Sequence, residues 1–305
     1  MRQTTRFREL LKKPGIIVMP GSFSAMSAKL VEDAGFESVY MSGGCTSMSF
    51  IGWADVGLIT FDEMLLNVRL MADRVNIPVI ADADTGYGNA LNLMKTTQAY
   101  IKAGAAAMHV EDQTLPKRCG HLPGKSLVSR EEFVGKIRAA KDVIAKEDPD
   151  FVFIARTDAR NAVGGSLQEA IDRANLYADE GADVVLPDGL QSPEEVATFA
   201  KSVKAPTMVF TGYGVKFDSM DAKALETAGV KIMAIPGAQL APALYAQVEA
   251  LKLLKAHGTD MVYKDRAFKV KEMFDLAGLQ QYRDYEEQYL PLEALEKYKK
   301  SGPGI

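Results

Sequence analysis

The sequence predicts an α/β fold, a TIM-type (β/α)8 barrel with an extra C-terminal helical arm. Eight short apolar runs rich in β-branched residues alternate with amphipathic stretches, the pattern of βα units around a parallel sheet. The 305 residues exceed the roughly 250 that such a barrel usually needs. A hydrophobic content of 47% is enough for one large core. A doubly wound open sheet is the alternative, but nothing in the chain marks a switch point.

Residues 5–13 form an opening helix that Pro14 and Gly15 stop. Strands are expected at 16–20, 38–41, 78–82, 106–111, 151–156, 183–188, 206–210 and 231–235. Helical periodicity follows each of them, at 24–34, 61–74, 90–103, 130–146, 166–180, 193–202, 219–227 and 238–255. Several of these helices run into Gly35, Gly104, Gly181 or Gly229, as C-caps require. Past His257 and Gly258 the composition turns to charged helix bearing Tyr282, Tyr285, Tyr289 and Tyr298. We therefore divide the chain into a barrel with its N-terminal helix at 1–257 and an arm at 258–305, either a solvated cap or a subunit contact, with an irregular end at 301–305.

A formal net charge of −4 argues against nucleic acid or an anionic membrane as partner and leaves a small anionic substrate open. Two cysteines, Cys45 and Cys119, build neither a disulfide framework nor a zinc cluster and fit a reducing, cytoplasmic setting. The first residues lack a secretory apolar stretch and no run is long enough to span a membrane, although the early arginines keep a mitochondrial transit peptide as an alternative.

Residues 116–125 read as a working loop: one thiol, Cys119, lies among Lys117, Arg118, His121 and Lys125, with Gly120 and Gly124 to bend the chain. Such cations are expected to lower the thiol pKa from about 8.5 towards neutrality. The alternative is an exposed basic loop with an incidental cysteine.

Barrel active sites lie where the strands end. The polar residues there are Ser42, Gly43 and Gly44, then Asp82 and Asp84, Glu111, Arg156 and Asp158, and Asp188. Asp82 and Asp84, one strand repeat apart, are expected to point inward together, which is costly unless a cation such as Mg²⁺ joins them. The competing reading makes Asp84 a helix cap and Asp82 half of an internal ion pair. His109 reads as an interior histidine and Cys45 as packing. Gly86-Tyr87-Gly88 is too short for a dinucleotide fingerprint. Trp53 and Asp55 are candidates for a lid.

With these residues placed, the chain resembles the isocitrate lyase and phosphoenolpyruvate mutase superfamily over about residues 7–255. Ser42-Gly43-Gly44, the run from Asp82 to Gly88, Glu111-Asp112-Gln113, the run from Lys117 to His121, and the run from Ala155 to Ala159 are similar to its motifs, in its order. The resemblance implies Mg²⁺, with Mn²⁺ as a substitute, held on the side of Asp82 and Asp84 with Glu111 nearby. It implies a carboxylate substrate bound by Ser42, Gly43, Gly44, Gly120, Arg156 and Asp188. Cys119 would be the proton donor, with Lys117, His121 and Glu111 completing the catalytic set. A homotetramer with a swapped C-terminal helix is implied too.

The activity so implied is cleavage of a carbon-carbon bond in a small 2-hydroxy or 2-oxo carboxylate of malate type. Oxaloacetate decarboxylation or hydrolysis, carboxyphosphonoenolpyruvate mutation and a non-catalytic 2-oxo acid binding barrel are the alternatives. Where methylisocitrate lyases of the family carry distal polar and cationic groups, this chain reads Phe210, Thr211, Gly212 and Tyr213 after the seventh strand and Ala241 after the eighth, with Asp188 in place of a glutamate. A substrate smaller or less anionic than methylisocitrate is therefore expected.

Overall fold

The eight apolar runs form β1 (Ile17–Ser22), β2 (Val39–Met41), β3 (Val79–Asp82), β4 (Ala107–Glu111), β5 (Val152–Thr157), β6 (Val184–Pro187), β7 (Thr207–Phe210) and β8 (Val230–Ile235). This is a computed structural model that describes residues 1–300; the irregular end expected at 301–305 lies outside the described residues. The strands pair in parallel in chain order, and β8 returns to β1 to close the barrel. β1 runs on past the expected Pro20 because Gly21 has no side chain to collide with the Pro236 carbonyl across the closing seam.

Around the barrel lie α1 (Gln3–Lys12), α2 (Ala25–Asp33), α3 (Gly43–Thr46), α4 (Phe61–Arg74), α5 (Ala90–Lys102), α6 (Arg130–Glu147), α7 (Leu167–Asp179), α8 (Pro193–Ser202) and α9 (Ala222–Ala228), and α10 (Leu240–His257) follows β8 in the chain. Most of them begin where a side chain accepts a first-turn N–H, as Ser24, Thr60, Asn89, Ser129, Ser166, Ser192 and Asp221 do. The cap of α5 is Asn89, so Asp84 is free of that duty.

Phe7 and Leu10 of α1 join Met19, Tyr40, Ile80, Ile154, Leu186 and Met208 in the cluster that fills the barrel. Arg8 of α1 pairs with Asp183 and with the Phe151 carbonyl, at the starts of β6 and β5, so this helix covers the N-terminal end. Polar side chains are left for the opposite end. They continue the inward series at the strand period of two: Tyr40 to Ser42, Ile80 to Asp82, His109 to Glu111, Ile154 to Arg156, Leu186 to Asp188.

The barrel belongs to a compact unit at Met1–Pro242, and Ala243–Ile305 forms a second unit. Within the second unit lie the rest of α10 and three further helices, α11 (Val270–Leu276), α12 (Leu279–Tyr289) and α13 (Leu292–Lys300). Leu244, Tyr245, Val248, Leu251 and Leu254 of α10 are all exposed. Among the described residues no helix is long and apolar enough to cross a membrane.

Candidate active site

Asp82 ends β3 and is held by its neighbours. Its carboxylate accepts the Gly43 N–H at 3.0 Å and the Asp84 N–H at 2.9 Å, and lies 3.4 Å from His109 Nε2. Burial pushes this carboxyl up, but His109, then Lys117 and Arg156, outweigh it and hold Asp82 below the usual carboxylate range. The interior reading of His109 stands in modified form. Its ring is buried 2.8 Å from the Tyr40 hydroxyl and against Phe210, yet Nδ1 has no hydrogen-bond partner.

Asp84 does not share the strand with Asp82, contrary to expectation. It lies in the turn beyond, at φ 45°, a left-handed conformation that Asp tolerates better than most residues. The turn, closed by the Gly86 N–H on the Ala83 carbonyl, carries Asp84 towards Lys117 Nζ, 2.8 Å away. Lys117 is buried between Asp84 and Asp55. Asp55, expected only as part of a lid, is thus a site residue, whereas Trp53 is exposed.

Around Arg156 lies a second charge cluster. Its guanidinium binds Asp158 through Nε at 2.9 Å and Nη2 at 3.0 Å, Asp188 at 2.7 Å and Glu111 at 3.3 Å. It also lies over the Phe210 ring, 5.6 Å from the centroid. Lys125, wholly buried, adds a contact of 3.2 Å to Asp158. Beneath, Asp112 takes the Asp158 N–H at 3.0 Å and the Thr157 hydroxyl at 2.8 Å, fixing the strand end.

Carboxylates outnumber cations here. Among the described residues Asp55, Asp82, Asp84, Glu111, Asp158 and Asp188 face Lys117, Lys125 and Arg156, with His109 beside Asp82. Burial accordingly raises Asp84 to about 6 despite Lys117, and pushes Glu111 well up despite Arg156. Glu111 Oε1 is buried without a hydrogen-bond partner, whereas Asp84 Oδ1 meets Lys117 Nζ. Surplus buried carboxylates, one of them with an uncommitted oxygen, fit a hard dication. Among the described residues no three His, Cys, Asp or Glu side chains converge into a cage, and Mg²⁺, bound through one or two carboxylates and water, requires none.

The loop at 116–125 crosses this mouth. The Cys119 N–H donates to the Asp55 carbonyl at 3.1 Å. The expectation of a lowered thiol pKa fails: burial pushes Cys119 up, and the His121 N–H, Arg156 and Lys117 only partly offset it. The reason is that Lys117 is spent on two carboxylates while Arg118 and His121 are exposed. His121 enters the site through its backbone, not its ring. Gly120 lies so close to Asp188 that a Cβ would overlap both carboxylate oxygens. At Gly43 a Cβ would sit 2.5 Å from Asp82, and at Gly44 3.0 Å from Asp55, so the Ser42–Gly44 turn is packed directly on the acidic cluster. Ser42 caps α3 by accepting the Cys45 N–H, and Cys45 is buried packing, as expected.

The structure thus gathers Ser42, Gly43, Gly44, Asp82, Asp84, Glu111, Lys117, Cys119, Gly120, Arg156 and Asp188 at one end of the barrel. Sequence reasoning placed Asp158 among the strand-end polar residues, Lys125 in the working loop and Phe210 after the seventh strand, but gave no site role to Tyr40 or Asn161. The strand period could have found Tyr40, which lies two residues before Ser42. No sequence signal marks Asn161, which reaches the Gly120 carbonyl from a loop.

A family model described as phosphoenolpyruvate phosphomutase matches residues 7–254. The chain is 38% identical to a 2,3-dimethylmalate lyase of Eubacterium barkeri, over 95% of this chain and 99% of that one. It is 40% identical to a 2-methylisocitrate lyase of Aeropyrum pernix, over 92% and 87%. A solved oxaloacetate acetylhydrolase in complex with the inhibitor 3,3-difluorooxalacetate superposes with a TM-score of 0.88 at 36% identity, covering 94% of this chain and 96% of that one.

Proposed function

From the premise that this chain belongs to the phosphoenolpyruvate mutase/isocitrate lyase superfamily, we propose that it is a Mg²⁺-dependent lyase of a malate-type 2-hydroxy dicarboxylate, acting in the cytoplasm. The observation that carries this reading is Cys119, a thiol that burial keeps protonated at a mouth of surplus carboxylates. A protonated thiol suits delivery of a proton to a departing carbanion better than nucleophilic attack.

Asp84, with Asp82 and Glu111 near it, would hold Mg²⁺, or Mn²⁺ in its place, and the bound ion would supply positive charge against oxygens of the substrate and of the enolate that leaves. Arg156, with Ser42, Gly43 and Gly44, orients the substrate carboxylate, and Gly120 and Asp188 complete the wall beside Arg156. Lys117 adds a fixed cation beside Asp84 and Glu111. The substrate hydroxyl gives its proton to a mouth carboxylate, the carbon that bore it leaves as a 2-oxo acid as the carbon-carbon bond breaks, and its former neighbour takes the bond's electron pair and the Cys119 proton.

Charge supply sets the substrate. Among the described residues each mouth cation already faces a carboxylate, and an unpaired substrate carboxylate in a dehydrated pocket costs several kcal/mol. Tyr213 and Ala241, which follow the seventh and eighth strands, are exposed, as is Lys216, a cation three residues beyond Tyr213. Phe210 alone reaches the mouth, under Arg156 and against Tyr40. A dicarboxylate with a small apolar substituent fits better than a tricarboxylate.

Oxaloacetate hydrolysis or decarboxylation is the second reading, favoured by the likeness to the acetylhydrolase structure. A panel of alkyl-malates, methylisocitrate, isocitrate and oxaloacetate, assayed for keto-acid or oxalate release with and without chelator, separates the two. Alkyl-malates are expected to give the highest kcat/KM, and chelator to abolish it. Faster turnover of a tricarboxylate overturns the charge argument, and chelator-insensitive turnover overturns the metal.

Assembly as a homotetramer through the C-terminal helices rests on the exposed apolar residues of α10. Sedimentation at micromolar concentration is expected to give four chains, and a monomer refutes it.

A further inference from the structure

The geometry points to Lys125 and Asn161 as positioning residues that fix Cys119 over the mouth by holding one carbonyl, that of Gly120. Lys125 ends the loop that carries the thiol, and its ammonium is wholly buried, where a charge persists only with partners. Those partners are the Gly120 carbonyl at 2.5 Å, Asp158 at 3.2 Å and Asp188 at 4.0 Å. Asn161 Nδ2, from the loop after β5, donates to the same carbonyl at 3.2 Å. Its own Oδ1 is buried without a partner, so the amide is kept in place at a cost.

The main chain reinforces the clamp, because the Lys125 carbonyl accepts the Val163 N–H at 3.0 Å. On the other side the Cys119 N–H is tied to the Asp55 carbonyl at 3.1 Å. Cys119 is therefore pinned at its own amide and again one residue later. Without the Lys125 donor the Gly120 carbonyl is free to turn to water and the thiol to swing out. A displacement of about 1 Å at a reacting group can cost about 10²-fold in rate.

The effect on turnover rests on the reading of Cys119 as proton donor; the effect on thiol access does not. Lys125→Met and Asn161→Ala in the full chain test both. The readouts are kcat, KM, thermal midpoint and the rate at which 5,5′-dithiobis(2-nitrobenzoic acid) labels Cys119, with Cys119→Ser giving the Cys45 background. Lys125→Met is expected to lower kcat about 10²-fold and Asn161→Ala about tenfold, with KM within about threefold and labelling at least about tenfold faster in both. Labelling at the wild-type rate in a folded variant overturns the clamp. So does faster labelling with unchanged kcat when Cys119→Ser is inactive. If Lys125→Met does not fold, Asn161→Ala, which strands no charge, decides. A fully active Cys119→Ser sinks the donor reading and leaves the labelling result to judge the clamp.

Discussion

Asp84→Asn is expected to lower turnover by about 10³-fold while leaving the metal-free barrel at least as stable as the wild type above pH 6. The two effects have one cause. Burial raises the Asp84 carboxyl to about 6, above the roughly 3.9 of an unfolded aspartate. A carboxyl raised on folding contributes its stability below the unfolded value and loses it as pH rises through the folded one. At pH 8 the ionised group, even with Lys117 beside it, costs about 3 kcal/mol in the absence of a metal ion. Asparagine fills the same space without the charge, so in chelator at pH 8 the variant's thermal midpoint should equal or exceed that of the wild type, and at pH 5 the gain should shrink. Added Mg²⁺ should raise the wild-type midpoint and leave the variant's unmoved. A variant with the wild-type response to Mg²⁺ and appreciable turnover removes Asp84 from the site.

Cys119→Ser is expected to lower kcat by 10² to 10⁴-fold, the range for loss of a general acid, with KM within about threefold. A serine hydroxyl is a far weaker acid than a thiol but occupies nearly the same volume. Burial, partly offset by the His121 N–H, raises the wild-type thiol above its ordinary value, so it stays protonated through neutral pH. The wild-type rate should therefore hold from neutrality into the alkaline range and fall only when the thiol ionises, and the residual rate of the variant should lack that fall. Wild-type kcat in Cys119→Ser, or a covalent adduct of true substrate on Cys119, contradicts the assignment. The pH profile separates a proton donor from a residue that merely packs the loop.

The sequence by itself determined the barrel. Eight apolar runs, each paired with a helical period and several of these closed by a glycine cap, favour a closed parallel arrangement that buries every strand, and the observed strands fall within a few residues of the expected ones. It also determined which end of the barrel is polar, because local alternation of period two survives folding. Glu111, Arg156 and Asp188 reach the mouth for that reason. What the sequence could not decide was how charges pair once they meet. Asp84 left its strand through a left-handed turn, Lys117 was consumed by Asp55 and Asp84, and Cys119 rose instead of falling. Reading cations beside a thiol in the chain assumes that they are near it in space and unpaired, and neither condition is local. Lys125 lies six positions from Cys119 and acts on it through Gly120, while Asn161 arrives from a different βα loop. Such contacts depend on how loops converge over the barrel, and burial then multiplies each charge's effect, so the tertiary structure alone fixed both the partners and the protonation states.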